Sequence, residues 1–288
     1  PPYVGIFVSL IFFLLSLIII YKISQLDYKN KNIPWLTILA VSLFPLSFFY
    51  NAMYSDSLFM FLSISSFYFA RTGNWLVAGF FGGLTCLTRL AGIALLPALL
   101  AEWILQNKSE FKNWRNAVIL FWRKCFSVLC LTLLGFLSYL VYLQIKFGNF
   151  LLFQESMVAW RQSEFVFPPQ VVFRYLKIFS QVDMGQLVYW IAFLEFISMV
   201  GYFALTYYVG KKIRISYAVF MFFVLVLPTF TGTFAGMPRY ILHAFPAFIG
   251  IALLIKGSNS VVKTVIVIVF LVLGFVLTGL FTRGYFIA

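Results

Sequence analysis

The sequence predicts an all-α integral membrane protein, a bundle of about ten transmembrane helices, on three observations. Of its 288 residues 63% are hydrophobic and 10% charged, where a soluble domain carries about 25% charged residues. Apolar runs follow one another along nearly the whole chain, separated mostly by short polar loops. The 21 Lys and Arg outnumber the 8 Asp and Glu, giving a net charge of +13, and they gather in alternate loops, the signature of a cytoplasmic membrane face. The spans leave no stretch for a separate soluble domain of about 100–150 residues, so 1–288 reads as one polytopic domain. Nucleic acid is therefore not the expected partner of the positive charge; membrane lipid is.

The apolar runs lie at 4–21, 34–50, 58–70, 75–87, 89–105, 125–145, 186–207, 216–233, 240–255 and 264–282. The stretch from Trp75 to Leu105 reads either as one long helix or as a short hairpin turning at Thr88-Arg89. With the hairpin, about 14 of the 21 basic residues fall in loops on one face, as the positive-inside rule requires. A single crossing levels the split and buries Arg89 in the bilayer, so the hairpin is preferred. Its first arm, near 13 residues, reaches only about 20 Å across a core of about 30 Å. Arg89 is thus expected in a protein-walled recess below the outer surface, where a buried cation needs a partner. The 106–124 segment mixes aromatic and basic residues and reads as an amphipathic helix on the inner leaflet. Cys86, Cys125 and Cys130 have no paired spacing and His243 is the single histidine. No disulfide framework, metal centre or cofactor is expected.

Four pieces then share the outer face: the 51–56 loop, the Thr88-Arg89 turn, the 146–185 segment and 236–240. They bring Asp56, Arg89 and Arg239 together with Tyr54, Trp160, Arg161 and Glu164. A carboxylate among guanidiniums at the bilayer edge suits a lipid-linked phosphate. Arginine forks bind phosphate oxygens in pairs, and a carboxylate can take a proton from a hydroxyl. Aromatic rings such as Tyr54 and Trp160 can stack on a sugar face. Each residue also has a plainer reading: Asp56 as the cap of the following helix, Arg89 as a structural partner, Arg239, Trp160 and Arg161 as interfacial anchors, and His243 as a packed, hydrogen-bonded ring. Glu195 stands in mid-span, where an ionisable group is a functional candidate. Gly79 and Gly83 read as a close helix contact.

The blocks Tyr54-Ser55-Asp56-Ser57-Leu58-Phe59, Leu87-Thr88-Arg89-Leu90-Ala91-Gly92 and Met237-Pro238-Arg239-Tyr240 resemble the PIG-V family, the GPI mannosyltransferase 2-like proteins and their prokaryotic relatives. The resemblance implies a GT-C fold and a multi-pass enzyme of the prokaryotic plasma membrane, or of the ER membrane in a eukaryote. Such an enzyme moves a sugar, most often mannose, from a polyprenyl- or dolichyl-phosphate donor to a lipid-linked or glycan acceptor. On that resemblance Asp56 would be the catalytic carboxylate, and Tyr54, Arg89, Trp160, Arg161 and Arg239 would bind substrate. It also implies that the chain lacks the family's N-terminal span and first outer loop.

A transporter or flippase of lipid-linked intermediates is the second reading. It would use the outer arginines and Glu195, and it calls for an inverted repeat with paired broken helices; the sequence offers one break, at Thr88-Arg89. An intramembrane protease fits poorly, with one histidine and no paired aspartates within spans.

Overall fold

The computed structural model describes residues 2–112, 114–155 and 166–285. Among them there is no strand. The helices in chain order are α1 (Pro2–Asp27), α2 (Asn32–Ser42), α3 (Asp56–Arg71), α4 (Trp75–Thr88), α5 (Leu95–Gln106), α6 (Trp114–Leu120) and α7 (Phe126–Phe147). They continue as α8 (Leu152–Glu155), α9 (Pro168–Gln181), α10 (Leu187–Lys212), α11 (Ile215–Val226), α12 (Met237–Tyr240), α13 (Pro246–Gly257) and α14 (Ser260–Thr282). Four are long and apolar enough to cross a membrane: α1, α7, α10 and α14. A fifth crossing is counted if Met237–His243 and Pro246–Gly257, bent by 96°, form one span. Their outward faces are apolar, with Leu14, Ile145, Tyr207 and Phe275 all exposed, a surface compatible with lipid on many sides.

The other apolar runs are divided more finely than hydropathy suggests, and proline is the reason. Proline lacks the N–H that closes a helical turn and clashes with the carbonyl four residues back. Pro45 follows the end of α2, after which the chain resumes as a 3-10 turn at Ser47–Tyr50. Pro228 lies just past α11, inside the 3-10 segment Leu227–Thr231. Pro97 sits in the first turn of α5, and the residues before it, Leu90–Ala94, are wound as a separate 3-10 segment. Pro246 opens α13 after the sharp bend. The amphipathic helix expected over 106–124 is instead a 3-10 turn at Lys108–Lys112, the short α6, and a π turn at Phe121–Cys125 leading into α7. The 146–185 segment holds a helix the hydropathy missed: α9, which starts on Pro168-Pro169 and buries Val171 and Tyr175 on one face.

The turn at Arg89 is real. Arg89 is extended, with φ −155° and ψ 148°, directly after α4. The chain doubles back, so that a Cβ on Gly92 would lie 2.7 Å from the Cys86 Cα. Close backbone approach also joins α4 to α7, where a Cβ on Gly135 would lie 2.1 Å from the Gly83 carbonyl oxygen. The Gly79–Gly83 pair is therefore a helix contact, as its spacing implies.

The bundle has two polar ends, separated by the 16 residues of α3, about 24 Å of helix. At one end Asp27, Arg71, Glu102 and Arg214 form a buried network. Arg214 grips Glu102 with two bonds, Nε to Oε2 at 2.6 Å and Nη2 to Oε1 at 2.7 Å. Ser216 and Gln106 also donate to Glu102. Arg71 Nη1 donates to Asp27 at 2.6 Å and to the Tyr217 hydroxyl at 2.7 Å. Arg71 and Arg214 were counted above as part of the surface charge of one face. They are instead neutralised internally, because α1, α3, α5 and α11 bring the two acids to the same level. Two cations meet two anions, and the network is electrically complete.

Two stability effects follow. Gly135→Leu should unfold at lower temperature in detergent, with a loss of about 1–3 kcal/mol from overpacking, since the α4–α7 backbones have no room for a side chain. Arg214→Ala should cost about 3–5 kcal/mol by leaving buried Glu102 short of its main partner. Both are read by thermal or chemical denaturation of the purified protein.

Candidate functional site

The other polar end is organised on Asp56. It is the first residue of α3 and its side chain is fully buried. Ser55, not Asp56, stands at the cap position, and it makes no capping bond; the Asp56 carboxylate is turned inward. Arg89 Nη2 donates to Oδ2 at 2.8 Å. Arg239 Nη2 donates to Oδ2 at 2.7 Å, and its Nε to Oδ1 at 3.2 Å. His243 Nε2 lies 2.9 Å from Oδ1. Each oxygen thus meets two nitrogens, which is the acceptor capacity of a carboxylate.

Each partner arrives by a break in a helix. Arg89 occupies the extended residue between α4 and the 90–94 segment, and its Nε also donates to Ser55 Oγ at 3.0 Å. Arg239 lies on α12, whose preceding residue Gly236 has φ +82°, a left-handed conformation that glycine adopts without strain. His243 lies at the end of the following 3-10 turn, beside the 96° bend. The bend has a specific cost. Pro246 has no N–H to offer the Leu242 carbonyl four residues back. The buried Tyr50 hydroxyl fills the gap, donating to Leu242 O at 2.7 Å. Tyr202 similarly donates to Pro238 O at 3.2 Å. Arg239 and His243 are thereby held on one side of the 96° bend, with two of its carbonyls satisfied by tyrosine hydroxyls.

Aromatic rings close over the cluster. The Arg239 guanidinium carbon is 4.2 Å from the ring centroid of Phe49 and 4.2 Å from that of Tyr54. The cation is therefore flanked by two π faces. Phe281 of α14 packs on Phe49 and Tyr54 from outside. Tyr54 is 42% exposed, and the Arg89 and Arg239 side chains retain 23% and 16% of their surface. The cluster thus reaches the surface through its cations and Tyr54, while its anion is sealed.

Electrostatics separates the two ends. Around Asp56 two guanidiniums face one carboxylate, which leaves one positive charge without a protein partner among the described residues. The Arg71–Glu102 network has no such surplus. A buried or half-buried excess cation is costly unless an anion is supplied.

Of the candidates named from sequence, Asp56, Tyr54, Arg89 and Arg239 meet in one site. Trp160, Arg161 and Glu164 lie outside the described residues. Glu195 belongs elsewhere: it accepts a hydrogen bond from Tyr175, whose hydroxyl also receives the Phe234 N–H at 3.0 Å. It ties α9 and α10 to the 227–236 segment. His243, read from sequence as a packed, hydrogen-bonded ring, is buried against Phe59, and its hydrogen-bond partner is Asp56. The available signal was its spacing: four residues after Arg239 is about one helical turn. Among the described residues no three of His, Cys, Asp and Glu gather as metal ligands do.

Tyr50→Phe removes one oxygen and leaves the Leu242 carbonyl buried without its donor. It should lower stability by about 1–3 kcal/mol and loosen Arg239 and His243 together, measurable by denaturation and by hydrogen exchange over 237–243. Comparison of the chain with family models, curated proteins and solved structures finds no match.

Proposed function

We propose that this protein is a membrane-embedded glycosyltransferase. It moves a sugar, mannose in the first instance, from a polyprenyl- or dolichyl-phosphate donor to a lipid-linked or glycan acceptor. The observation that carries the reading is the positive charge of the Asp56–Arg89–Arg239 cluster, uncompensated among the described residues. A phosphodiester supplies the missing anion. The guanidiniums hold its oxygens in the ground state and hold the leaving phosphate more tightly as its charge grows. Asp56 holds the two guanidiniums side by side, both through Oδ2. Tyr54, with the Arg239 guanidinium 4.2 Å from its ring centroid and 42% of its own surface exposed, offers the sugar an aromatic surface. The apolar bundle exterior gives the polyprenyl chain a lateral approach from lipid.

On this reading the ten apolar segments cross or enter the membrane alternately. The Asp56 end is outer or lumenal, and the Arg71–Glu102 end is cytoplasmic. Contacts support the alternation: Ser9 of α1 bonds Tyr54 O near the start of α3 while Asp27 of α1 bonds Arg71 near its end. Phe281, late in α14, returns to Tyr54.

The transporter reading gains a second broken element at Met237–Gly257. Both breaks, however, deliver their arginines to the same carboxylate at the same end. An inverted repeat relates its breaks by a two-fold axis in the membrane plane, which points them in opposite directions.

Purified protein in detergent or liposomes, given radiolabelled polyprenyl-phosphate mannose and candidate acceptors, should transfer the label. Arg89→Ala and Arg239→Ala should each lower kcat/KM by about 10–100-fold, the worth of a charge-assisted bond of about 1.5–3 kcal/mol. Arg239→Lys should fall nearly as far, since lysine lacks the planar fork and the stacking face. Wild-type protein that transfers nothing, or alanine variants at full rate, would defeat the assignment. For the topology, exposed Met53 and Lys212, changed singly to cysteine, should react with impermeant maleimide from opposite sides of sealed vesicles.

A further inference from the structure

His243 is the one member of the Asp56 cluster with a ring nitrogen to spare. Its Nε2 faces Asp56 Oδ1 at 2.9 Å, while its Nδ1 is buried and has no hydrogen-bond partner among the described residues. A carboxylate opposite Nε2 favours the tautomer with the proton on Nε2, which leaves a basic lone pair on Nδ1. Asp56 has no comparable freedom. Its acceptor directions are taken by Arg89, by both nitrogens of Arg239 and by His243. Protonating it would release the guanidiniums that hold the substrate phosphate. The group that carries the arginines is therefore badly placed to carry the proton as well. On the ring's other flanks, Phe59 packs edge-on at 5.0 Å and Tyr240 lies 6.1 Å away. Tyr240 is partly exposed and Phe59 fully buried, so the less enclosed flank of the ring is the Tyr240 side.

We propose that His243 is the proton acceptor of the transfer, through Nδ1, with Asp56 as the residue that orients it; this rests on the sugar-transfer reading of the site. In the step, a lone pair of the acceptor hydroxyl bonds to the anomeric carbon. The bond from that carbon to the phosphate oxygen breaks, and its electron pair stays on the phosphate beside Arg89 and Arg239. The hydroxyl proton passes to Nδ1. The resulting imidazolium is stabilised by Asp56 across Nε2, as in other carboxylate–histidine pairs. The proton returns to water when the products leave.

The chain contains a single histidine, which makes the test direct. Wild-type protein free of added histidines, labelled with ¹⁵N-histidine, gives one ring to observe. At neutral pH the expected spectrum shows a proton on Nε2 and none on Nδ1. A proton on Nδ1 overturns the proposal, whether or not transfer is detected. The kinetic arm uses His243→Gln, whose amide can still donate to Asp56 but has no basic nitrogen. It should leave the KM for polyprenyl-phosphate mannose within about threefold and lower kcat by about 100-fold or more. A kcat near wild type overturns the role of His243 while leaving the sugar-transfer reading intact. A large rise in KM with kcat preserved shows His243 to be structural and likewise overturns it. Absence of transfer by the wild type defeats both readings at once.

Discussion

Four nitrogens from three side chains converge on the two oxygens of Asp56, and most of what distinguishes this bundle follows from satisfying that carboxylate. A buried carboxylate without partners is costly by several kcal/mol. Its partners here stand on parts of the chain that would otherwise have no reason to meet. To present Arg89 the chain abandons helix after Thr88 and doubles back onto Cys86. To present Arg239 and His243 it enters through a left-handed Gly236 and leaves through a 96° bend. The breaks are compensated locally: Ser55 accepts a second bond from Arg89, and Tyr50 donates to the carbonyl that Pro246 leaves open.

The opposite end shows what an ionic network looks like when stability is its only visible task. Glu102 and Asp27 are matched by Arg214 and Arg71, and the neighbouring Tyr217, Ser216 and Gln106 complete the hydrogen bonding. Nothing is left over. Around Asp56, among the described residues, the charges do not cancel, an aromatic ring is partly exposed over a cation, and one imidazole nitrogen is unpartnered. The contrast between a closed network and an open one, within a single bundle, is the physical basis for placing ligand chemistry at the Asp56 end.

Much of the fold was legible because hydropathy is carried residue by residue. The apolar runs coincide with helices, and the Arg89 turn was recoverable from charge distribution and from the shortness of the preceding arm. The finer division escaped because an apolar average does not register proline: Pro45, Pro97, Pro228 and Pro246 cut apparent spans into helix and 3-10 pieces. The helix α9 escaped because its sequence is too polar for a hydropathy reading and its buried face, Val171 and Tyr175, is narrow. Arg71 and Arg214 were legible as positive charges but not as internal ones, since their acids lie on other helices.

The sequence by itself determined that the chain is helical and apolar, where polar residues punctuate it, and that a recessed Arg89 needs a partner. Only the tertiary structure decided that this partner is Asp56, that it is shared with Arg239 and that the lone histidine completes the set. The reason is the range of the interactions. Hydropathy and proline act over neighbouring residues, whereas Asp56 pairs with positions 33, 183 and 187 residues away. Partners at that distance are chosen by where the helices come together.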